Sequence, residues 1–155
     1  MPLKITTWNI NSVRLRIDLV ARFLKSARPD VLCLQETKCP DDAFPRKRFK
    51  RLGYEYAALN GQKGYHGVAV LSRLPFESVD VQSFCGKTDC RHVSVVLGEL
   101  AGLRDPVTLH DSTCRRAATS LTPRPIRNSS TSSIFSTRCA RIPACVRRRH
   151  IEIAD

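Results

Sequence analysis

The chain has 155 residues and a composition that is ordinary for a soluble protein, which bounds it to one domain. No stretch is long and apolar enough to span a bilayer, residues 1–11 lack the basic start and apolar core of a secretory signal, and seven irregularly spaced cysteines do not make a disulfide framework. A reducing cytoplasm with no membrane partner is the simplest expectation, and a net charge of +12 points to nucleic acid.

The charge is uneven. Residues 1–109 hold 17 Lys and Arg against 11 Asp and Glu, while residues 110–155 hold 9 against 3. All nine cations of the tail are arginine, and none of the seven lysines lies there. Half of the excess therefore comes from under a third of the chain.

The first element is a strand, Leu3 to Asn11, which alternates and is rich in β-branched residues. Ser12 can cap a helix over about 13–27, where Val13, Ile17, Val20, Phe23, Leu24 and Ala27 recur at helical spacing. Arg28-Pro29-Asp30 ends it. Val31 to Gln35 is a short apolar run suited to a buried parallel strand, so the unit is β-α-β with a right-handed crossover. After a turn at Cys39–Asp42 a basic helix is expected over about 43–51, then a strand from Gly53 to Leu59 and a turn at Asn60-Gly61. Gly67 to Ser72 is a further strand, Phe76 to Gln82 alternates weakly, and Arg91–Leu97 with Pro106–His110 reads as an antiparallel pair joined through Gly98–Asp105.

Glu36 is the most informative residue. It follows an apolar strand, and the strand before it ends in Trp8-Asn9-Ile10-Asn11. Two parallel strands ending in a carboxylate and an amide suggest a site at the carboxyl edge of a sheet, where α/β folds place ligands. Taken alone, Glu36 could equally be a solvated charge and Asn9 a turn former. Helix 43–51, with Arg46, Lys47, Arg48, Lys50 and Arg51, could touch DNA or be a solvated face. Cys85, Cys90 and His92 offer three zinc ligands without a fourth, so a structural zinc site is rejected.

After His110 the pattern fails. Residues 111–137 contain twelve Ser or Thr, with no lasting period of 2 or 3.6. A disordered basic tail is the plain reading. It would leave residues 1–109 as an open sheet with no partner layer, although one face must be covered.

Three segments carry a family resemblance: Thr7-Trp8-Asn9-Ile10-Asn11-Ser12-Val13-Arg14, Pro29-Asp30-Val31 through Leu34-Gln35-Glu36-Thr37-Lys38, and Gly61-Gln62-Lys63-Gly64-Tyr65-His66-Gly67-Val68-Ala69-Val70. In this order they resemble the exonuclease III family of DNA-repair nucleases, within the endonuclease/exonuclease/phosphatase superfamily. The resemblance covers about residues 3–110. It implies the amino-terminal half of a four-layer, DNase I-like α/β sandwich with a mixed sheet, incomplete in this chain. It also implies magnesium- or manganese-dependent hydrolysis of DNA, as a 3′-to-5′ exonuclease and abasic-site endonuclease. By the resemblance Glu36 binds the metal and Asn9 lines the same site, and those roles are carried onto these two residues only; Lys63, His66 and Arg91 are candidate phosphate contacts, and Lys63 and His66 could also be ordinary loop residues. The implied partner is double-stranded DNA with abasic or 3′-end damage, met by a monomer. Rival readings are a non-catalytic basic nucleic-acid-binding fragment and a phosphoesterase acting on another phosphate ester.

The family's later motifs, Asn-x-Tyr-x-Pro, Gly-Asp-x-Asn and Ser-Asp-His, are absent from this sequence, so this chain is expected to lack the activity by itself. Residues 111–155 are read as translated out of frame. Asp111 to Thr119 can be written GAT TCT ACG TGC CGG CGG GCG GCG ACA. From the third base the same string gives Phe-Tyr-Val-Pro-Ala-Gly-Gly-Asp, the type of segment the family has at this point.

Overall fold

The computed structural model describes residues 3–82 and 90–113. Seven strands occur among them: β1 (Ile5–Asn9), β2 (Val31–Gln35), β3 (Tyr56–Asn60), β4 (Val68–Ser72), β5 (Ser78–Asp80), β6 (His92–Leu97) and β7 (Val107–Ser112). Two α-helices accompany them, α1 (Ile17–Ala27) and α2 (Arg46–Arg51). The tail from residue 114 and Cys85 lie outside the described residues.

The first sheet runs β1-β2-β4-β3. β1 and β2 are parallel, with Asn9 opposite Gln35, while β4 is antiparallel to both β2 and β3. The sheet is therefore mixed. The second sheet, β5-β6-β7, is antiparallel throughout.

Alternation along β2 and β4 explains the layering. Leu32, Leu34, Ala69 and Leu71 pack with Val20 and Leu24 of α1 and Phe49 of α2. The intervening Val31, Cys33, Val68 and Val70 pack with Val93, Val95 and Leu97 of β6. Strands covered on both faces are apolar throughout, since each side chain has a dry neighbour. The expected open sheet is thus corrected. β5, β6 and β7 pair into a second sheet, and that sheet covers the inner face of the first.

The start of α1 also differs from expectation. It begins at Ile17, and Ser12 makes no cap. Ser12 has φ +84°, outside the extended conformation of a capping residue. Its N–H is bonded to Glu36 O at 2.8 Å, and the Val13 N–H to Thr37 O at 3.0 Å. The backbone after β1 follows β2 before it can turn into a helix. Asp18 in the first turn and Lys25 in the last complement the helix dipole. Arg28, left-handed at φ +47°, closes the helix through its N–H to Leu24 O. α2 is shorter than expected, beginning at Arg46 after a single 3₁₀ turn at Asp41–Ala43. No helix among the described residues is long and apolar enough to cross a membrane.

Candidate functional site

The parallel register brings the ends of β1 and β2 to one edge. Asn9 is the last residue of β1, and Glu36 is the first after β2. Backbone bonds continue beyond the strands and lace four segments together. Ile10 N–H donates to Gln35 O (3.0 Å), Thr37 N–H to Gly67 O (3.0 Å), Lys38 N–H to His66 O (2.9 Å) and Gly67 N–H to Cys90 O (3.0 Å).

This edge is locally strained. Among the described residues, Asn11, Ser12, Glu36, Lys38 and His66 have positive φ without being glycine, and the sixth such residue is the helix cap Arg28. The left-handed conformation costs a non-glycine residue about 1–2 kcal/mol. Such outliers concentrate where the surroundings hold a side chain in a working position. Gly67, at φ +83°, allows a close approach: a Cβ there would stand 2.3 Å from Thr37 Oγ1.

The Glu36 carboxylate is held from two sides. Asn9 Nδ2 donates to its Oε1 at 3.1 Å, and Lys38 Nζ lies 3.4 Å from its Oε2. Lys38 Nζ also bonds Asn11 Oδ1. The Asn9 hydrogen bond, followed by the hydrogen bond and charge of Lys38, keeps the Glu36 carboxyl below the usual carboxylate range despite some desolvation. Glu36 and Lys38 are each about one third exposed, at 34% and 33%, so the carboxylate can reach an incoming cation. His66 contributes a second contact. Arg91 donates to His66 Nε2 at 2.5 Å, and because a guanidinium can only donate, Nε2 is the acceptor.

The structure therefore joins Asn9 with Glu36 and His66 with Arg91, and it links the pairs through the Lys38–His66 backbone bond. Lys63 is exposed on its loop and bonds none of these four residues. Asn11 and Lys38 were not singled out from sequence, although both lie inside the motifs. Their signal was proximity to Asn9 and Glu36 in those runs.

The donor set suits a hard, mostly hydrated divalent ion. Glu36 carboxylate and Asn9 amide oxygens are the oxygen type that magnesium takes, and magnesium is commonly held by one or two carboxylates plus water. The ammonium of Lys38 against Oε2 marks a position where positive charge is already accommodated. No group of three His, Cys, Asp or Glu side chains that could hold a metal occurs among the described residues.

Behind the edge lies a second polar group. Gln35 Nε2 donates to Thr7 Oγ1 (2.9 Å) and to Asp111 Oδ1 (2.5 Å). Asp111, on β7, is 3% exposed, and its Oδ2 has no hydrogen-bond partner. Burial pushes its carboxyl up to about 7, against the opposing effect of Gln35 and the Ala69 backbone.

Comparison with known proteins fits this geometry. The family model described as "Endonuclease/Exonuclease/phosphatase family" matches residues 6–149. Exodeoxyribonuclease III of Haemophilus influenzae is 39% identical over 71 residues, which is 46% of this chain and 26% of that protein. A 3′-5′ exonuclease from Neisseria meningitidis superposes with a TM-score of 0.62 at 30% identity, covering 71% of this chain and 41% of that one. A Neisseria 3′ phosphatase bound to a product DNA hairpin superposes with a TM-score of 0.58 at 34% identity, over 61% and 37% of the two chains. The chain thus spans about a quarter of the length of the curated relative it matches.

Proposed function

This chain belongs to the endonuclease/exonuclease/phosphatase family, and from that premise we propose that it carries part of a magnesium-dependent DNA phosphodiester hydrolase of the exonuclease III type. Its fold is the DNase I-like α/β sandwich of such enzymes. The observation that carries the reading is the Asn9–Glu36 hydrogen bond at the carboxyl edge of the parallel pair. It fixes a low-pKa carboxylate at the place where this fold class binds ligands.

Glu36 and Asn9 are the residues that would hold the ion. When bound, the ion polarises a phosphate oxygen and stabilises negative charge on the leaving oxygen. The chain's own residues do the rest. Asn9 orients Glu36 and keeps it ionised. Lys38 balances the carboxylate until a cation arrives. Arg91, held through His66, directs guanidinium donors to phosphate, where planar bidentate contact suits it. The substrates in this reading are DNA 3′ ends and abasic sites.

This chain by itself is proposed to cleave at background level. One carboxylate cannot hold the ion, take a proton from water and supply one to the leaving oxygen. General acid–base help alone is worth about a hundred- to ten-thousand-fold. The experiment is a magnesium-dependent nicking assay on abasic duplex DNA, run beside a salt-titrated DNA-binding assay. Salt-sensitive DNA binding with background nicking is expected. Robust nicking abolished by Glu36→Gln would contradict the incomplete-site reading, and absence of DNA binding would contradict the nuclease reading. Because one structural relative is described as a 3′ phosphatase, a substrate ending in a 3′ phosphate belongs in the same assay.

A further inference from the structure

The proposed reaction uses one end of the first sheet, and the other end carries a feature it leaves unused. A groove of about 530 Å³ opens there, lined by Arg46, Lys47, Lys50, Tyr56, Phe76 and Val79. β3 and β5, which contribute Tyr56 and Val79, are edge strands of their sheets. Tyr56 stands opposite Ser72, whereas Asn60 stands opposite Val68 next to the catalytic edge. Four residue steps along β3 separate the two ends, roughly 13 Å at about 3.3 Å per residue.

The sequence explains why these side chains face outward. Phe49 is 1% exposed and stacks with Phe44 at a centroid distance of 5.5 Å, which anchors α2 in the core. Arg46, Lys47 and Lys50 are then exposed. Arg48 bonds Asp18, but the three groove cations form no ion pair among the described residues. Glu55 is the one carboxylate among the lining residues. Like charges three or four apart on a helix, as Lys47–Lys50 and Arg46–Lys50 are, oppose helix formation, so packing does not account for them. Beside them lies an apolar, aromatic floor. Tyr56 and Phe76 meet edge to face at 6.2 Å, with Tyr56 38% and Val79 50% exposed.

We propose that this groove is a docking surface for single-stranded nucleic acid, with phosphates on Arg46, Lys47 and Lys50 and a base against Tyr56 and Phe76. Unpaired cations next to accessible aromatic faces are the combination that binds single strands without sequence preference. The volume suits a small-ligand site of a nucleotide's size. An acidic peptide would satisfy the cations but leave the aromatic faces without a matching group, so charge and ring together favour nucleic acid. The inference does not depend on the metal site.

The test uses the full 155-residue chain and fluorescence anisotropy with three labelled probes at two salt concentrations. The probes are oligo(dT) of roughly twelve nucleotides, an abasic oligomer of equal length, and a glutamate-rich peptide of equal charge. Tyr56→Ala should weaken oligo(dT) binding at least about fivefold and leave the abasic oligomer unaffected, while Tyr56→Phe keeps the ring and the binding. Lys50→Gln should weaken both oligomers and make the log–log salt slope shallower by about 0.7; Lys25→Gln, on α1, should change neither. Circular dichroism melting of each variant separates loss of binding from loss of folding. Equal oligo(dT) binding by folded Tyr56→Ala, or peptide binding as tight as oligo(dT), would overturn the proposal.

Discussion

Asn9 Nδ2 donates to Glu36 Oε1 at 3.1 Å, and the bond crosses between two strands whose register sets Asn9 against Gln35. The contact is therefore built by the parallel pairing of β1 and β2. Asn9 is also the first cause of the lowered Glu36 pKa. In Asn9→Ala the Glu36 carboxyl should titrate at higher pH than in the parent chain. Carbon-13 NMR of the side-chain carboxyl reads this directly, and an unchanged midpoint would remove Asn9 from its positioning role. A carboxyl whose folded pKa is depressed adds stability above its unfolded pKa and loses it as pH falls, so Asn9→Ala should also weaken the drop in stability on acidification.

Lys38 and a metal ion compete for the Glu36 carboxylate, since the ammonium lies 3.4 Å from Oε2. Partly exposed ion pairs are worth about 0.2–1 kcal/mol. Lys38→Gln should accordingly raise divalent-cation affinity by about two- to fivefold. Calorimetric titration with manganese checks it, and a fall in affinity would show Lys38 supporting the ion instead of opposing it.

Asp111 predicts a pH effect of opposite sign. Its folded pKa, about 7, stands above the ordinary value of 3.8. The folded state therefore binds the extra proton, and this group's contribution is fully present below about pH 4 and lost as pH rises through 7. Asp111→Asn keeps an oxygen for the Gln35 amide and removes the buried charge. It should raise Tm at pH 8 and flatten the loss of stability between pH 4 and 7. A lower Tm at pH 8 would mean that the carboxylate is needed as an ion.

Gly67→Ala should destabilise the fold by about 1–3 kcal/mol and weaken metal binding with it, because the Thr37 contact at 2.3 Å forces apart the loop that positions Glu36 and Lys38. Gly64→Ala is the control. Gly64 has φ +79° but nothing within 4 Å of its added Cβ, so only the backbone cost of about 1–2 kcal/mol applies. Urea unfolding compares the two, and equal losses would remove the steric explanation.

Asp111 and Ser112, the first two residues of the segment read as out of frame, lie in β7 opposite Val93 and His92, so that reading concerns the residues after them. The gene's nucleotide sequence should continue, in the shifted frame, into a Gly-Asp-x-Asn motif. A stop codon or unrelated sequence there would make the tail a genuine segment.

The strands that position the site were legible because their apolar runs are bounded by turn residues and polar ends. Ser12 misled because capping is a local preference, and the bonds from Ser12 and Val13 to residues 36 and 37 are not local. The antiparallel β6–β7 pair was legible from sequence, whereas β5 alternates weakly and only pairing with β6 makes it a strand. Asn9, Glu36 and His66 lie inside the three motifs, whereas Arg91 lies outside them. The Lys38–Glu36 pair depends on positive φ at both residues, which no periodicity reveals.

The most direct measurement is manganese binding by the 155-residue chain and its Glu36→Gln variant, followed by electron paramagnetic resonance of the free ion. The parent chain should bind one ion weakly and Glu36→Gln should lose that binding, with both proteins showing the same far-ultraviolet circular dichroism. Equal binding by the two proteins would contradict the assignment of Glu36 as the metal-holding residue at this edge.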